Sequence, residues 1–155
     1  MKRINKLEIR SRRVPCTAED TVIYSAPSIT APYHAANVAH GLLGCEAQEV
    51  FIALFLNSKN KIIGYTEVGR GGLDQCQVDP RVVFRAALLA SATAIIVAHN
   101  HPSGDTAPSV EDTALTSRLV RAGQLLGCPI LDHLIVCEEI GNYYSYLSES
   151  PTTLK

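Results

Sequence analysis

The feature that most constrains the fold is a run of seven consecutive apolar residues, Val50–Leu56, with the sequence VFIALFL. The run is far shorter than the roughly 20 apolar residues that a helix needs to cross a bilayer. A short segment rich in β-forming side chains, with no polar residue in alternation, is typical of a strand buried on both faces. We therefore predict that Val50–Leu56 is a central strand of a covered sheet.

The rest of the chain supplies the elements that would surround this strand. Asp79 followed by Pro80 is a strong helix start, and Ser109 followed by Asp112 is another. Glycine is the residue that most often follows the last turn of a helix. The patterns predict helices over residues 30–43, 79–91 and 109–126 and strands over residues 62–68, 94–98, 130–136 and 143–147. Mixed strands and helices around a central sheet predict an α/β or α+β fold.

Length and composition set the broad class of protein. The chain has 155 residues, of which 46% are hydrophobic and 19% charged, values that suit one globular domain and exclude a disordered, collagen-like or coiled-coil chain. Its five cysteines are odd in number, widely spaced and without a CxxC pair, which favours reduced thiols. No apolar segment follows the basic residues at the start, so the pattern of a secretory signal peptide is not seen. We expect a cytoplasmic protein with no membrane partner.

The charge is unevenly distributed. The formal net charge is −1, so the chain as a whole does not have the basic surface of a nucleic-acid-binding protein. Residues 1–13 nevertheless contain six Lys or Arg side chains against one acidic side chain, Glu8. Such an arm can bind phosphates, but the favoured interpretation is a solvated terminus. If DNA is a partner, this arm should carry the contact, and we expect weak or no nucleic-acid binding at physiological salt.

The side chains that could carry chemistry are concentrated in residues 99–112, with the sequence HNHPSGDTAPSVED. His99 and His101 lie two apart at the end of a predicted strand, where residues i and i+2 point to the same side. Asp112 lies in the first turn of the next helix. Two imidazole nitrogens and one carboxylate oxygen could then share one ion and leave a fourth position for water, as catalytic zinc sites do.

The same residues can also occur without a metal site. Two histidines with one residue between them arise by chance in many chains. Ser109 and Asp112 could be only a capping box that holds backbone N–H groups at a helix start. The small residues gathered in the same loop favour the metal site.

This segment resembles the JAMM signature, in which His-x-His is followed, after seven residues of which the first is proline, by Ser-x-x-Asp. The strings HNHPSGD and PSVED are similar, more narrowly, to the RadC branch of the JAB/MPN metalloprotease superfamily. The resemblance covers roughly residues 30–148, and it includes EVF and LFLNS within residues 49–58, DPRVV at residues 79–83 and LDHLIV at residues 131–136.

The resemblance implies an architecture and a metal site. The fold would be a curved mixed sheet flanked by helices, the cytidine-deaminase-like JAB/MPN architecture. It would occupy residues 29–148, with residues 1–28 as a basic N-terminal arm and residues 149–155 as a C-terminal tail. One Zn²⁺ per chain would be bound by His99, His101 and Asp112.

The resemblance also implies a glutamate that acts as general base, placed just before a strand upstream of the histidines. Glu49 matches that place, with Glu67 as the rival and Glu46 as a weaker third. Ser109 matches the serine that donates a hydrogen bond to the oxyanion, and it can cap a helix at the same time.

The function implied is that of a zinc-dependent hydrolase, a metallopeptidase or isopeptidase acting on a peptide or isopeptide bond. The alternative is a DNA-repair-associated accessory protein or scaffold with a structural or idle metal site. A zinc deaminase is disfavoured because the HxE and PCxxC pairing is absent. Asp105, Asp132 and His133 are candidates for holding the second nitrogen of a metal-bound imidazole. For His133, the role of a satisfied core histidine carries equal weight.

Overall fold

Val50–Leu56 forms the first strand, β1, and all seven of its side chains are buried. The computed structural model describes residues 28–71 and 78–155 of the chain. Within that part, β1 lies between two other strands of a five-stranded sheet. The prediction of a central strand covered on both faces is therefore confirmed.

The sheet is mixed. Its order is β2-β1-β3-β4-β5. Strand β1 is antiparallel to both of its neighbours, β3 and β4 are parallel, and β5 returns antiparallel to β4. The remaining strands are β2 (Ile62–Arg70), β3 (Ala94–Asn100), β4 (Ile130–Val136) and β5 (Tyr143–Ser145).

Helices cover both faces of the sheet, as the α/β prediction requires. They are α1 (Pro32–Leu43), α2 (Pro80–Leu89), α3 (Val110–Leu126) and α4 (Tyr146–Glu149), followed by a 3₁₀ helix, Pro151–Leu154. Side chains alternate along a strand, so β1 feeds two cores. Ile52 and Leu54 belong to the core that α1 covers, whereas Phe55 packs with Phe84 of α2 and Leu119 of α3.

The helix ends follow the local signals in the sequence. Asp79 caps α2 by accepting a hydrogen bond from the backbone N–H of Arg81 at 2.9 Å, and Pro80 occupies the first helical position. Helix α3 begins with a full capping box between Ser109 and Asp112. It ends at Gly127, whose φ of 66° lies in the left-handed region.

Several predicted boundaries differ from the structure by one or two residues, and two of these differences have an identifiable cause. Strand β3 continues to Asn100 rather than stopping at residue 98, because His99 pairs with β1 on one side and β4 on the other. The strand predicted over residues 143–147 ends at Ser145, because the buried carboxylate of Asp132 accepts the backbone N–H of Leu147 at 2.9 Å and Ser145 caps α4. Both outcomes depend on distant partners that a local pattern does not contain.

Of the two predicted terminal segments, the structure describes the C-terminal one. The basic arm predicted over residues 1–28 lies outside the described residues except for its last one. Residues 149–155, predicted as a tail, include the 3₁₀ helix, which contacts α3, and the Lys155 carbonyl accepts a hydrogen bond from Gln124 at 2.7 Å. Across the described ranges, no helix is long and apolar enough to cross a membrane.

Candidate metal centre

Four side chains with metal-binding atoms converge at the end of β3: Glu49, His99, His101 and Asp112. One ligand atom from each lies within 4.8 Å of all the others. Glu49 directly precedes β1, the two histidines come from the end of β3 and the residue after it, and Asp112 lies in the first turn of α3. Three elements distant in sequence therefore build one site.

The two histidines converge as the strand spacing predicts. His99 is fully buried and pairs in register with Phe51 of β1. His101 continues the ladder by donating its backbone N–H to the Val136 carbonyl at 2.9 Å. The Nε2 atoms of His99 and His101 are 3.0 Å apart. Each ring therefore presents the same nitrogen to the centre of the site.

Hydrogen bonding defines which nitrogen of His101 carries the proton. Its Nδ1 lies 2.6 Å from the backbone carbonyl oxygen of Asp105. A carbonyl only accepts, so Nδ1 must donate, and Nε2 of the neutral ring keeps a lone pair. Gly104, with a φ of 84°, allows the turn that brings this carbonyl back to the ring. Asp105 thus supports His101 through its backbone, while its carboxylate accepts the Ala107 N–H at 2.9 Å.

The proton on His99 follows from a chain of three contacts. Thr116 donates its hydroxyl proton to the Asp112 carbonyl at 2.6 Å, so its oxygen can only accept from His133 Nδ1, 2.5 Å away. His133 Nε2 then keeps a lone pair and accepts from His99 Nδ1 at 2.9 Å. The Nε2 atom of His99, like that of His101, is left without a proton.

The carboxylate of Asp112 is divided between two tasks. It is completely buried. Its Oδ2 accepts from the Ser109 N–H at 2.8 Å and from the Ser109 hydroxyl at 2.6 Å. Among the described residues its Oδ1 has no hydrogen-bond partner, and it lies 3.3 Å from His99 Nε2. One oxygen serves the helix cap, and the other points at the histidines.

These residues fit a divalent metal ion. Two imidazole lone pairs that face each other at 3.0 Å repel, and burying a carboxylate oxygen without a donor is costly. A cation between them removes both penalties. Imidazole nitrogen and carboxylate oxygen are ligands that zinc takes in proteins.

The protonation states agree with metal binding. Burial lowers the pKa of His99 to about 4, although the nearby Asp112 carboxylate acts in the opposite direction and His101 lowers it further. Burial likewise holds the pKa of His133 well below its usual value. Both rings are therefore neutral near pH 7, and a metal ion need not displace a proton from His99.

The structure separates the three candidate bases. Glu49 Oε1 lies 3.9 Å from His99 Nε2. Glu67 and Glu46 instead bind the guanidinium of Arg70, at 2.9 Å and 2.6 Å. Arg70 also holds the pKa of the Glu46 carboxyl below its usual value. Of the three acids, Glu49 is the one that joins the histidines.

Asn100, a spacer between the two histidines of the motif, positions the segment that carries Glu49. Its buried side-chain oxygen accepts the Val50 N–H at 2.8 Å, and its amide donates to the carbonyls of Gln48 at 3.0 Å and Glu46 at 3.2 Å. The alternation of a strand turns Asn100 away from the histidines on either side of it. The alternation of the strand could have indicated from the sequence that Asn100 faces away from the histidines. The hydrogen-bond partners of Asn100 could be known only from the pairing of β1 with β3.

Asp132 and His133 point to opposite sides of β4, as their adjacency in a strand requires. Asp132 accepts from the Ser145 hydroxyl at 2.7 Å and thereby holds the corner between β5 and α4. His133 is directed at His99. Thr116 was missed in the sequence, although its position four residues after Asp112 places both on one face of a helix.

The capping box gives a prediction about stability. Replacing Ser109 with alanine removes the side-chain acceptor for the Asp112 N–H and the hydroxyl donor to Asp112 Oδ2. We expect the free energy of unfolding to fall by about 0.5–2 kcal/mol, measured by urea titration. Ser117→Ala is the control, because within the described part of the chain the Ser117 hydroxyl bonds only the Thr113 carbonyl, in the middle of the same helix. Equal losses in both variants would contradict the capping role.

Comparison with known proteins places this site in a recognised context. A family model described as a RadC-like JAB domain matches residues 29–151. A UPF0758 protein of Staphylococcus haemolyticus is 44% identical over 121 residues, which are 78% of this chain and 52% of the relative. UPF0758 proteins of Trichlorobacter lovleyi and Bacillus licheniformis are 43% and 46% identical over 76% and 70% of the chain, and 50% and 48% of their own lengths. The chain thus spans about half the length of these curated relatives, whose names state no activity.

Proposed function

The chain belongs to the RadC-like JAB domain family, and from that membership and the site geometry we propose that it is a zinc-dependent hydrolase that cleaves a peptide or isopeptide bond. The observation that carries the proposal is the convergence of Glu49 with His99, His101 and Asp112. Three of these side chains form a ligand set of the kind that catalytic zinc uses, and one acid is left over.

For each proposed ligand, the hydrogen bonds indicate which atom would bind the metal. His99 and His101 would bind through Nε2, since hydrogen bonds hold the proton of each ring on Nδ1. Asp112 would bind through Oδ1, since Ser109 occupies Oδ2. Zinc held there would acidify a water molecule and polarise the carbonyl to be cleaved.

Glu49 is proposed as the general base. Its carboxylate takes a proton from the attacking water and delivers it to the nitrogen of the leaving amine. Its side chain is only 17% exposed, so it works in a partly dry environment where charge interactions are strong. The three hydrogen bonds of Asn100 fix the backbone around it, which limits the directions that its carboxylate can take.

Ser109 is proposed to stabilise the oxyanion of the tetrahedral intermediate. Its hydroxyl donates to Asp112 Oδ2 at 2.6 Å, so this role requires the hydroxyl to rotate toward the substrate. The Ser109 N–H would keep its own bond to the same oxygen. The helix start therefore survives the rotation.

An open depression of the surface, called here the groove, lies next to Ser109 and is available to a substrate. Its volume is about 410 Å³, and it is lined by Pro108, Ser109, Val110, Thr113, Ala114 and Ser117. These residues lie at the start of α3 and along one of its faces. We propose that side chains of a peptide substrate rest in this groove.

Location and other partners are also proposals. The cysteines within the described ranges, Cys45, Cys128 and Cys137, are free thiols, which supports the reducing cytoplasm as the compartment. The net charge of −1 supports weak or no nucleic-acid binding.

The proposed activity can be tested with a peptide library and with isopeptide-linked lysine substrates. We expect cleavage that releases a new amine, stops when a chelator removes the metal, and returns when one equivalent of zinc is added. Mass spectrometry of the products identifies the bond that is broken. If the protein binds one zinc per chain and cleaves none of these substrates, a scaffold with an idle site becomes the better account of its function.

A further inference from the structure

Two buried polar side chains near the site have no part in the proposed reaction: His133 on β4 and Thr116 on α3. Both are completely buried. Neither belongs to the group of four that could hold a metal. Buried polar groups in such a place need a reason, because each costs free energy unless it is fully hydrogen-bonded.

Their hydrogen bonds run in one direction only. The Asp112 carbonyl can only accept, so the Thr116 hydroxyl donates to it. The oxygen of Thr116 is then the acceptor for His133 Nδ1, and His133 Nε2 is the acceptor for His99 Nδ1. Reversing any one of these bonds would bring two donors or two acceptors face to face.

The surroundings of His133 leave little room for another arrangement. The Tyr146 ring stacks on its face at a centroid distance of 5.2 Å, and Phe51 meets it edge-on at 5.4 Å. Tyr146 is itself buried, with its hydroxyl 2.9 Å from that of Thr113. Because aromatic rings enclose His133 on these sides, its two nitrogens depend on Thr116 and His99.

We propose, building on the zinc binding proposed above, that Thr116 and His133 are a positioning pair that fixes the tautomer of His99 and so determines how tightly the site holds its metal. With the pair intact, His99 keeps its proton on Nδ1 and presents an Nε2 lone pair to the ion. Without it, the ring can place its proton on Nε2, where it blocks metal binding.

The two histidine ligands are thus held by different means. His101 donates to a backbone carbonyl, which no substitution of a side chain removes. His99 donates to a neutral imidazole whose own tautomer is set by a hydroxyl. A neutral acceptor also leaves the charge of the site unchanged, so that the carboxylates of Asp112 and Glu49 suffice to balance a divalent ion.

The test variant is Thr116→Val, which keeps the shape of the side chain and removes the hydroxyl. We expect zinc affinity, measured by competition with a chromophoric chelator, to fall about 10–100-fold. Thr116→Ser should restore most of the affinity. Thr93→Val is the matched control, because the Thr93 hydroxyl also donates to a backbone carbonyl, that of Leu56 at 3.1 Å, but lies before the start of β3, at the end of the strand away from the histidines. Unchanged affinity in Thr116→Val would overturn the proposal.

The tautomers themselves can be observed without metal or substrate. In ¹⁵N-labelled, metal-free protein, imidazole NMR should show the proton of both His99 and His133 on Nδ1. In Thr116→Val, a fraction of His99 should carry it on Nε2. A wild-type protein with His99 protonated on Nε2 would contradict the pair's role, whereas wild-type protein with this tautomer pattern but no zinc affinity would contradict only the proposed function.

A second pair of variants covers the case in which Thr116→Val does not fold. His133→Gln offers an amide oxygen that can accept from His99 Nδ1, whereas His133→Leu offers none. We expect His133→Leu to bind zinc about 10–100-fold more weakly than wild type, and His133→Gln to lie closer to wild type. Equal zinc affinities in the two variants would show that a hydrogen-bond acceptor for His99 Nδ1 at residue 133 does not affect zinc binding.

Discussion

Replacing His101 with alanine is expected to remove zinc from the protein. The variant keeps His99 Nε2 and Asp112 Oδ1 but loses the nitrogen that faces His99 at 3.0 Å. Structural zinc sites of zinc-finger peptides are worth about 10–16 kcal/mol in total, and by that scale losing one protein ligand should weaken binding by on the order of 10²–10³-fold. Elemental analysis of protein purified without a metal-affinity tag measures this directly, with one zinc per chain expected for wild type.

The matched control is His34→Ala. His34 is a histidine on α1 whose Nδ1 lies near Thr30, outside the group of four. The His34→Ala variant should retain its zinc. This result would separate the loss of a ligand from a general effect of removing an imidazole. Zinc content in His101→Ala equal to that of wild type would refute the ligand assignment.

Replacing Glu49 with glutamine is expected to reduce kcat about 10²–10⁴-fold, because the amide cannot accept the proton of the attacking water. The substitution preserves the shape of the side chain, and Glu49 is not one of the three proposed ligands. Zinc content should therefore stay at one per chain. The measurement is steady-state cleavage of whichever substrate the peptide screen identifies, with zinc determined on the same preparation.

Glu67→Gln is the control for this prediction. Glu67 also lies on a strand leading to the site, but it is bound to Arg70 at 2.9 Å. We expect its kcat to stay within a few-fold of wild type. If Glu67→Gln is inactive and Glu49→Gln retains full activity, the role of general base passes to Glu67.

Much of the framework could be predicted from the sequence because its signals are local. The apolar run of β1, the capping residues Asp79 and Ser109 and the terminal Gly127 each act on neighbouring backbone. The spacing of His99 and His101 is local as well, since the alternation of a strand is enough to turn both rings to one side.

The remainder depends on contacts between distant parts of the chain. No local pattern distinguishes Glu49 from Glu67, because the difference lies in Arg70 and in the hydrogen bonds of Asn100 across β1 and β3. The partnership of Thr116 with His133 exists only once α3 has packed on β4. The ligands could therefore be proposed from the sequence, whereas the residues that hold them in place could not.

The order of the strands also bears on when this site can appear as the protein folds. Glu49 and His99 meet only after β1 and β3 have paired, and β2 and α2 separate these strands in the chain. A pairing between distant segments must close the intervening loop before its contacts form, and it is therefore slow to form. The three proposed ligands lie within residues 99–112, but His99 is held in place only once β3 has paired with β1 and β4 and α3 has packed on β4, so a metal finds its complete site only in a nearly complete fold. Bound metal would therefore slow unfolding of the chain while leaving the rate of folding almost unchanged.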